Sequence, residues 1–394
     1  MKEQKSIMHQ IDYTILFLLF ILMCFSFLAI YSGSGQYYSN DPAFFVKRQV
    51  IWFIIGFIVM GVIMMIDYEI VKKFSYYFYG IGIFLLLLVS YSPLGIYKNG
   101  AQSWLNLGFG TFQPSEFMKI FLIMALAQLL STITVNEGIN NIKSDFKTVF
   151  KILAIALPPF LLILNEPDLG TAVVIASIIF TMVFMSGVSW KVLSVFASLV
   201  IVMIGTLVWL FFNLPNVFAI FIKDHQLERF YGWLKPWEYS SSYGYQLVEA
   251  IQAIGSGQLV GKGYLEGTQT QRNVIPELHT DFIFAVIGEE FGFIGAIILL
   301  ITYFLLIYRM VLIGLNCKNL YGTYLIAGIT GFLVCQIFEN IGMTIGLMPI
   351  TGLPLPFVSY GGTSLLTNMI AIGIVLNVGM RTRHYMFETE DYID

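Results

Sequence analysis

Seven side chains are candidates for chemistry because of where they stand: Arg48, Trp104, Glu116, Lys119, Asp168, Asp281 and Ser359 lie in or beside long apolar runs. A charge there is costly and is a functional candidate by default. Glu116 and Lys119 follow Gln113-Pro114-Ser115. A proline opens a helix well, and a spacing of three puts both charges on one face. They either neutralise each other or hold an ammonium against an anion such as a phosphate. Arg48 is a second cation for that anion or an anchor lying along lipid. Asp168, after Pro167, is a helix cap or an acid facing a ligand. Asp281 lies in Pro276-Glu277-Leu278-His279-Thr280-Asp281-Phe282. It is a first-turn acid capped by Thr280, or it ends a groove along Ala285, Gly288, Gly292 and Gly295. Trp104 belongs to an interfacial aromatic belt or to a cavity wall. Acids and cations gathered at one face suit a lipid-linked phosphate substrate. Residue types alone do not name the reaction.

The stretch from Met348 to Gly362 is apolar but interrupted by Pro349, Gly352, Pro354 and Pro356. It cannot be a regular helix. Irregular backbone at membrane depth must be buried in protein or line a cavity, and Ser359 belongs to this stretch. Gln336, Glu339 and Asn340 form a polar patch just before it, suited to interhelical hydrogen bonding. The histidines (His9, His225, His279, His384) are scattered. Cys24, Cys317 and Cys335 show neither metal nor disulfide spacing, so no metal site is expected.

The elements that must position these residues are membrane helices. Of 394 residues 57% are hydrophobic and 11% charged, against roughly 25% charged in a soluble domain. The net charge of -3 comes without a basic stripe, which excludes a nucleic-acid partner. The sequence predicts an all-α polytopic membrane protein of about ten transmembrane helices, one domain over 1–394. The spans fall at roughly 13–31, 49–66, 74–91, 115–131, 150–164, 170–187, 191–212, 282–308, 322–347 and 364–380, from the need for about 20 apolar residues each. The fifth is short, and a broken or re-entrant element is the alternative. Lys and Arg, Lys2 and Lys5 among them, put both termini in the cytoplasm. A long extracellular loop, 213–281, then joins helices 7 and 8. Its amphipathic stretches, such as Tyr243 to Ile254, suit a membrane surface.

Several segments together carry a family resemblance. They are Gln113-Pro114-Ser115-Glu116, Pro167-Asp168-Leu169-Gly170, the 276–284 segment, and Asn340 through Gly346-Leu347, Pro349 and Gly352-Leu353 to Phe357-Val358-Ser359-Tyr360-Gly361-Gly362-Thr363-Ser364. The chain resembles the SEDS family (shape, elongation, division and sporulation). Gly255-Ser256-Gly257, Gly261-Lys262-Gly263 and Gly267-Thr268-Gln269-Thr270-Gln271 look more like its elongation branch, RodA, than its division branch, FtsW. The resemblance implies a peptidoglycan glycosyltransferase that polymerises lipid II on undecaprenyl-pyrophosphate-linked glycan, beside a class B penicillin-binding protein, with the active site facing outward from the cytoplasmic membrane. It implies that Asp281 is the essential acid. The expected mechanism is an inverting displacement with Asp281 as general base. Arg48 and Lys119 face the pyrophosphate, Glu116 positions Lys119, Asp168 orients a sugar, and Trp104 and Ser359 line the cavity. No metal-ligand set is implied; a divalent cation, Mg or Mn, would fall to Asp168 or Asp281. A lipid II flippase and a non-catalytic scaffold for the penicillin-binding protein are the rival readings.

Overall fold

The computed structural model describes residues 11–35, 41, 43–98, 101–106, 111–137, 142–214, 224–272 and 275–388. Lys2, Lys5, both chain ends and parts of the 213–281 loop lie outside the described residues. Helices α1 (Tyr13–Gly33), α2 (Phe44–Met65), α3 (Tyr68–Tyr91), α4 (Pro114–Glu137), α5 (Ile142–Asn165), α6 (Leu169–Met185) and α7 (Trp190–Asn213) come first. Then follow α8 (Asp224–Leu234), α9 (Tyr245–Gly257), the one-turn α10 (Thr268–Gln271), α11 (Ile283–Glu290), α12 (Gly292–Asn316), α13 (Leu320–Thr344) and α14 (Gly362–Glu388). Among the described residues nine helices are long and apolar enough to cross a membrane, and α6 is an apolar helix of 17 residues. At 1.5 Å per residue α6 sits at the short end of the spanning range. The chain is a multi-pass membrane protein.

Three features differ from the expected layout. First, α5 is a full helix of 24 residues, not a short or re-entrant element, and it runs through Pro158 and Pro159. A proline cannot donate to the carbonyl four residues earlier. For Pro159 that carbonyl belongs to Ile155, and the Tyr79 hydroxyl donates to it at 2.8 Å. Second, an antiparallel sheet, β1 (Gly95–Lys98), β2 (Ala101–Asn106) and β3 (Thr111–Phe112), fills the connection between α3 and α4, with Trp104 opposite Ile96. Third, the expected span 282–308 is broken at Phe291.

The break explains the glycine-rich loop. Gly292 has φ +63, so α12 cannot continue α11. The loop after α9 splices the two ends. Phe293 and Ile294 donate their N–H groups to Gln258 and Leu259 at 2.9 and 3.1 Å, while Lys262 and Gly263 donate to Glu289 and Glu290 at 3.0 and 3.2 Å. Four of the orphan groups at the two helix ends thus find partners in the loop. A Cβ on Gly261 would stand 2.1 Å from the Glu290 carbonyl oxygen. The fully buried Glu289 carboxylate completes the splice, accepting from Lys262 at 2.8 Å and from the N–H groups of Gln269 and Thr270 at 2.9 Å each. Gly288 meets Ile254 and Gly295 meets Phe291, the close packing that a stripe of small residues allows, and Gly295 also lines an apolar cavity with Phe17, Cys24 and Ile298. Likewise α9 turns Leu247, Val248, Ala250 and Ala253 inward against α11 and α13, so this amphipathic face covers protein.

Candidate active site

The site is built around the irregular segment between α13 and α14. Its backbone polar groups need partners in an apolar setting, and polar side chains of several helices supply them. From α13, Gln336 donates to Pro354 O at 3.0 Å and Asn340 to Leu353 O at 2.7 Å. From α2, Gln49 donates to Ser359 O at 3.1 Å. Tyr303 of α12 donates to Pro356 O at 2.5 Å, and Trp233 of α8 to Gly346 O at 2.9 Å. The Ser359 hydroxyl donates to Thr280 O at 2.5 Å and accepts from Leu355 N at 2.8 Å. Ser359 is therefore a fastener, buried to 4% exposure.

That web places Asp281. The 276–282 segment is a turn, and α11 begins only at Ile283 with Phe282 as its N-cap. Thr280 does not cap the helix; its hydroxyl donates to Glu277 Oε2 at 2.8 Å. Asn340 donates to the Asp281 carbonyl at 2.8 Å as well as to Leu353 O. The half-buried Asp281 side chain thus lies against Gly352, where a Cβ would stand 3.4 Å from Oδ2. Gly352 has φ +77, a conformation that favours glycine. Next door, Tyr360 N–H donates to His279 O at 2.9 Å, and the His279 ring lies 4.3 Å from that of Phe45.

Behind the segment lies an enclosed charge cluster. Lys119 is fully buried, 2.8 Å from Glu116 Oε1 and 3.3 Å from Gln336 Oε1, with Phe332 beneath it at 4.9 Å. Asp168 is the α6 cap, accepting from Thr171 N at 3.0 Å and Thr171 Oγ1 at 2.9 Å; Gln113 adds a bond of 3.1 Å. Gly170 meets Thr351 and Leu353, which brings the α6 cap to the same segment. Burial pushes the Asp168 carboxyl up, opposed by its bonds to Thr171. Glu166 goes up to about 8, mainly by burial and against its bond from Ser90; the nearby Asp168 raises it further. Arg48 is exposed, its guanidinium 4.5 Å over Phe44, while its neighbours Phe45 and Gln49 reach the 279 and 359 regions. Trp104 is half-buried on the sheet. Among the described residues no three His, Cys, Asp or Glu side chains are grouped so as to hold a metal ion.

The profile described as cell cycle protein, FtsW/RodA/SpoVE, matches residues 12–384. The chain belongs to the FtsW/RodA/SpoVE family. It is 35% identical over 376 residues to stage V sporulation protein E of Bacillus subtilis (strain 168), covering 95% of this chain and 98% of that protein. It is also 35% identical over 368 residues to peptidoglycan glycosyltransferase MrdB of Escherichia coli (strain K12), covering 93% of each. Among solved structures, rod shape determining protein RodA of Thermus thermophilus aligns over 98% of both chains at 28% identity with a TM-score of 0.65. A chain from a structure described as structural coordination of polymerization and crosslinking by a peptidoglycan synthase complex aligns over 94% of this chain and 98% of its own at 29% identity, TM-score 0.76. The membership expected from the motif segments is borne out, and the polytopic helical fold with it.

Structure adds residues that sequence reasoning passed over. Gln113 stood inside a quoted motif, so its signal was visible without its role; Asn340 was expected to hydrogen-bond between helices, and its partners are instead the backbone carbonyls of Asp281 and Leu353. Gln49, Glu166 and Arg229 carried none, because each acts on residues far away in sequence.

Proposed function

We propose that this chain is a peptidoglycan glycosyltransferase of the cytoplasmic membrane that extends glycan strands from lipid II during cell elongation. The observation that carries the reading is the Asp281 carboxylate lying against Gly352, in a site whose backbone is held by Gln336 and Asn340. The similarity to proteins named peptidoglycan glycosyltransferase supports it.

In this reading the 4-hydroxyl of an acceptor lipid II attacks C1 of the lipid-linked MurNAc. The C1–O bond to undecaprenyl pyrophosphate breaks, and the hydroxyl proton passes to Asp281. One in-line displacement turns the α-linked donor into a β-1,4 product. An alcohol is a poor nucleophile, so a base in the transition state contributes roughly 10²–10⁴-fold. Arg48, exposed beside the 279 and 359 regions, meets the anionic substrate. Lys119 acts from behind, through Gln336 and the 353–354 carbonyls, with Glu116 as its counter-ion. Asp168 holds the start of α6, and Trp104 forms part of the wall. The site faces outward with both termini cytoplasmic, and the partner is a class B penicillin-binding protein. Similarity to a chain of a peptidoglycan synthase complex supports the partnership.

The test is gel analysis of polymer made from lipid II by purified protein, with and without the partner. Asp281→Asn is expected to lower polymerisation by roughly 100-fold or more without loss of folding. Normal rates in that variant would reject the base assignment. Movement of labelled lipid II across liposomes without polymer would favour a flippase; no polymer even with the partner would favour a scaffold.

A further inference from the structure

The side of α5 that turns away from the protein carries cations that the mechanism above does not use. Lys143, Lys147 and Lys151 stand four residues apart, so they form one row along the helix. Lys143 and Lys147 are exposed and Lys151 is half-buried. Phe146 and Phe150, exposed at 42% and 72%, fill the same side. Beyond Lys151 the row continues through Ala154, Leu157, Pro158 and Leu161, all exposed and none charged. The opposite side of the helix, with Asp145, Val149, Ile152 and Ala156, is buried. Asp145 accepts from Ser189 N at 3.0 Å, and the Phe146 ring lies 6.0 Å from that of Phe196. These contacts hold the start of α7 beside the first turns of α5, and it adds the exposed Trp190 and Lys191. Cations at the corresponding ends of other helices are turned to the protein. Arg309 pairs with Asp12 at 2.8 Å, Arg381 with Asp67 at 3.4 Å, and Lys72 lies 5.5 Å over the Tyr321 ring.

We propose that this side of α5, with the start of α7, binds anionic phospholipid of the phosphatidylglycerol type. The phosphates lie at Lys143, Lys147, Lys151 and Lys191, and the acyl chains lie along Ala154, Leu157, Pro158 and Leu161. The order of residue types selects the occupant. A diacyl phospholipid presents negative charge at one level and hydrocarbon below it, and the row presents cations and then apolar side chains in the same order. An acidic protein segment would match the lysines and leave the apolar part of the row without a partner. A zwitterionic lipid would match the apolar part but bring its own cation to the lysines. Lysine stems lie along apolar surface while the ammonium reaches headgroup level. The rings of Phe146, Phe150 and Trp190 stand beside them, at the boundary that aromatic residues favour. In the proposed orientation this surface is in the inner leaflet, on the side of the membrane opposite Asp281. It is therefore separate from the lipid-linked substrate and does not depend on the glycosyltransferase reading.

The experiment measures binding of labelled phosphatidylglycerol, and separately phosphatidylcholine with the same acyl chains, to the full chain purified in non-ionic detergent. At low salt the wild type is expected to bind phosphatidylglycerol about tenfold or more tighter than phosphatidylcholine, a preference that high salt weakens. The triple variant Lys143→Gln/Lys147→Gln/Lys151→Gln should lose phosphatidylglycerol affinity roughly 10- to 100-fold and bind phosphatidylcholine as the wild type does. Lys143→Arg/Lys147→Arg/Lys151→Arg keeps the charge and should keep the preference. Equal affinity of the wild type for the two lipids, or wild-type affinity for phosphatidylglycerol in the glutamine variant, would overturn the proposal. So would a soluble polyglutamate peptide that displaces labelled phosphatidylglycerol more effectively than unlabelled phosphatidylglycerol does, which would point to an acidic protein partner. If the triple glutamine variant does not fold, Lys147→Gln in the middle of the row decides. A loss of about threefold or more confined to phosphatidylglycerol supports the proposal, and unchanged or equally reduced affinity for both lipids overturns it.

Discussion

Lys119 and Glu116 show how a buried charge constrains this site. Both are removed from water, and each is the other's main compensation. Removing one partner of such a pair costs roughly 3–5 kcal/mol, because it leaves a buried charge alone. Lys119→Met is therefore expected to destabilise the protein more than the Lys119→Met/Glu116→Gln double variant, a comparison read from thermal unfolding in detergent. Glu166 gives a second residue-scale prediction, through pH. Its folded pKa of about 8 lies above the ordinary 4.5, so the folded state holds a proton that the unfolded chain releases. Its contribution to stability is whole below pH 4.5 and is lost as pH rises through 8, at up to about 1.4 kcal/mol per pH unit. Glu166→Gln should flatten that decline and exceed the wild type in thermal midpoint at pH 8 but not at pH 5. An identical pH slope in both proteins would refute it.

At the scale of elements, the decisive feature is the break between α11 and α12 and the loop that splices it. Buried α11 is held at both ends. At its start the 276–282 turn bonds to Asn340, Ser359 and Tyr360. At its end Glu289 and Glu290 bond to the loop, with Ser32 of α1 donating to Glu290. The loop approaches so closely that only glycine fits at 261, with φ +83 and no room for a Cβ. Gly261→Ala is expected to lower the thermal midpoint by roughly 5 °C or more. Because Asp281 lies in the turn that leads directly into α11, activity should fall further than stability at the assay temperature. Unchanged unfolding would show that the splice is looser than the backbone bonds imply.

For the whole molecule, orientation in the membrane is open to direct measurement. The proposed topology puts α8 and α9 outside the cell and the start of α7 inside. In a cysteine-free background, Ser241→Cys should react with an impermeant maleimide on intact cells, and Lys191→Cys only after lysis; the reverse pattern would invert the assignment. The helical membrane class and the family were legible in the sequence, because long apolar runs and the 340–364 motif are local signals. Asp168 as a cap and the Glu116–Lys119 pair were legible as alternatives, because spacing on one helix defines both. The sequence could not show that span eight breaks, that Gly292 meets the backbone of the 259–261 loop, or that Ser359 fastens backbone. Those outcomes depend on which distant carbonyl needs a donor once water is excluded. What the sequence determined by itself is where apolar helices run and which few polar residues they carry. What only the tertiary structure decided is the pairing of those residues, since a buried polar group takes whichever partner the packed helices bring within 3 Å or so.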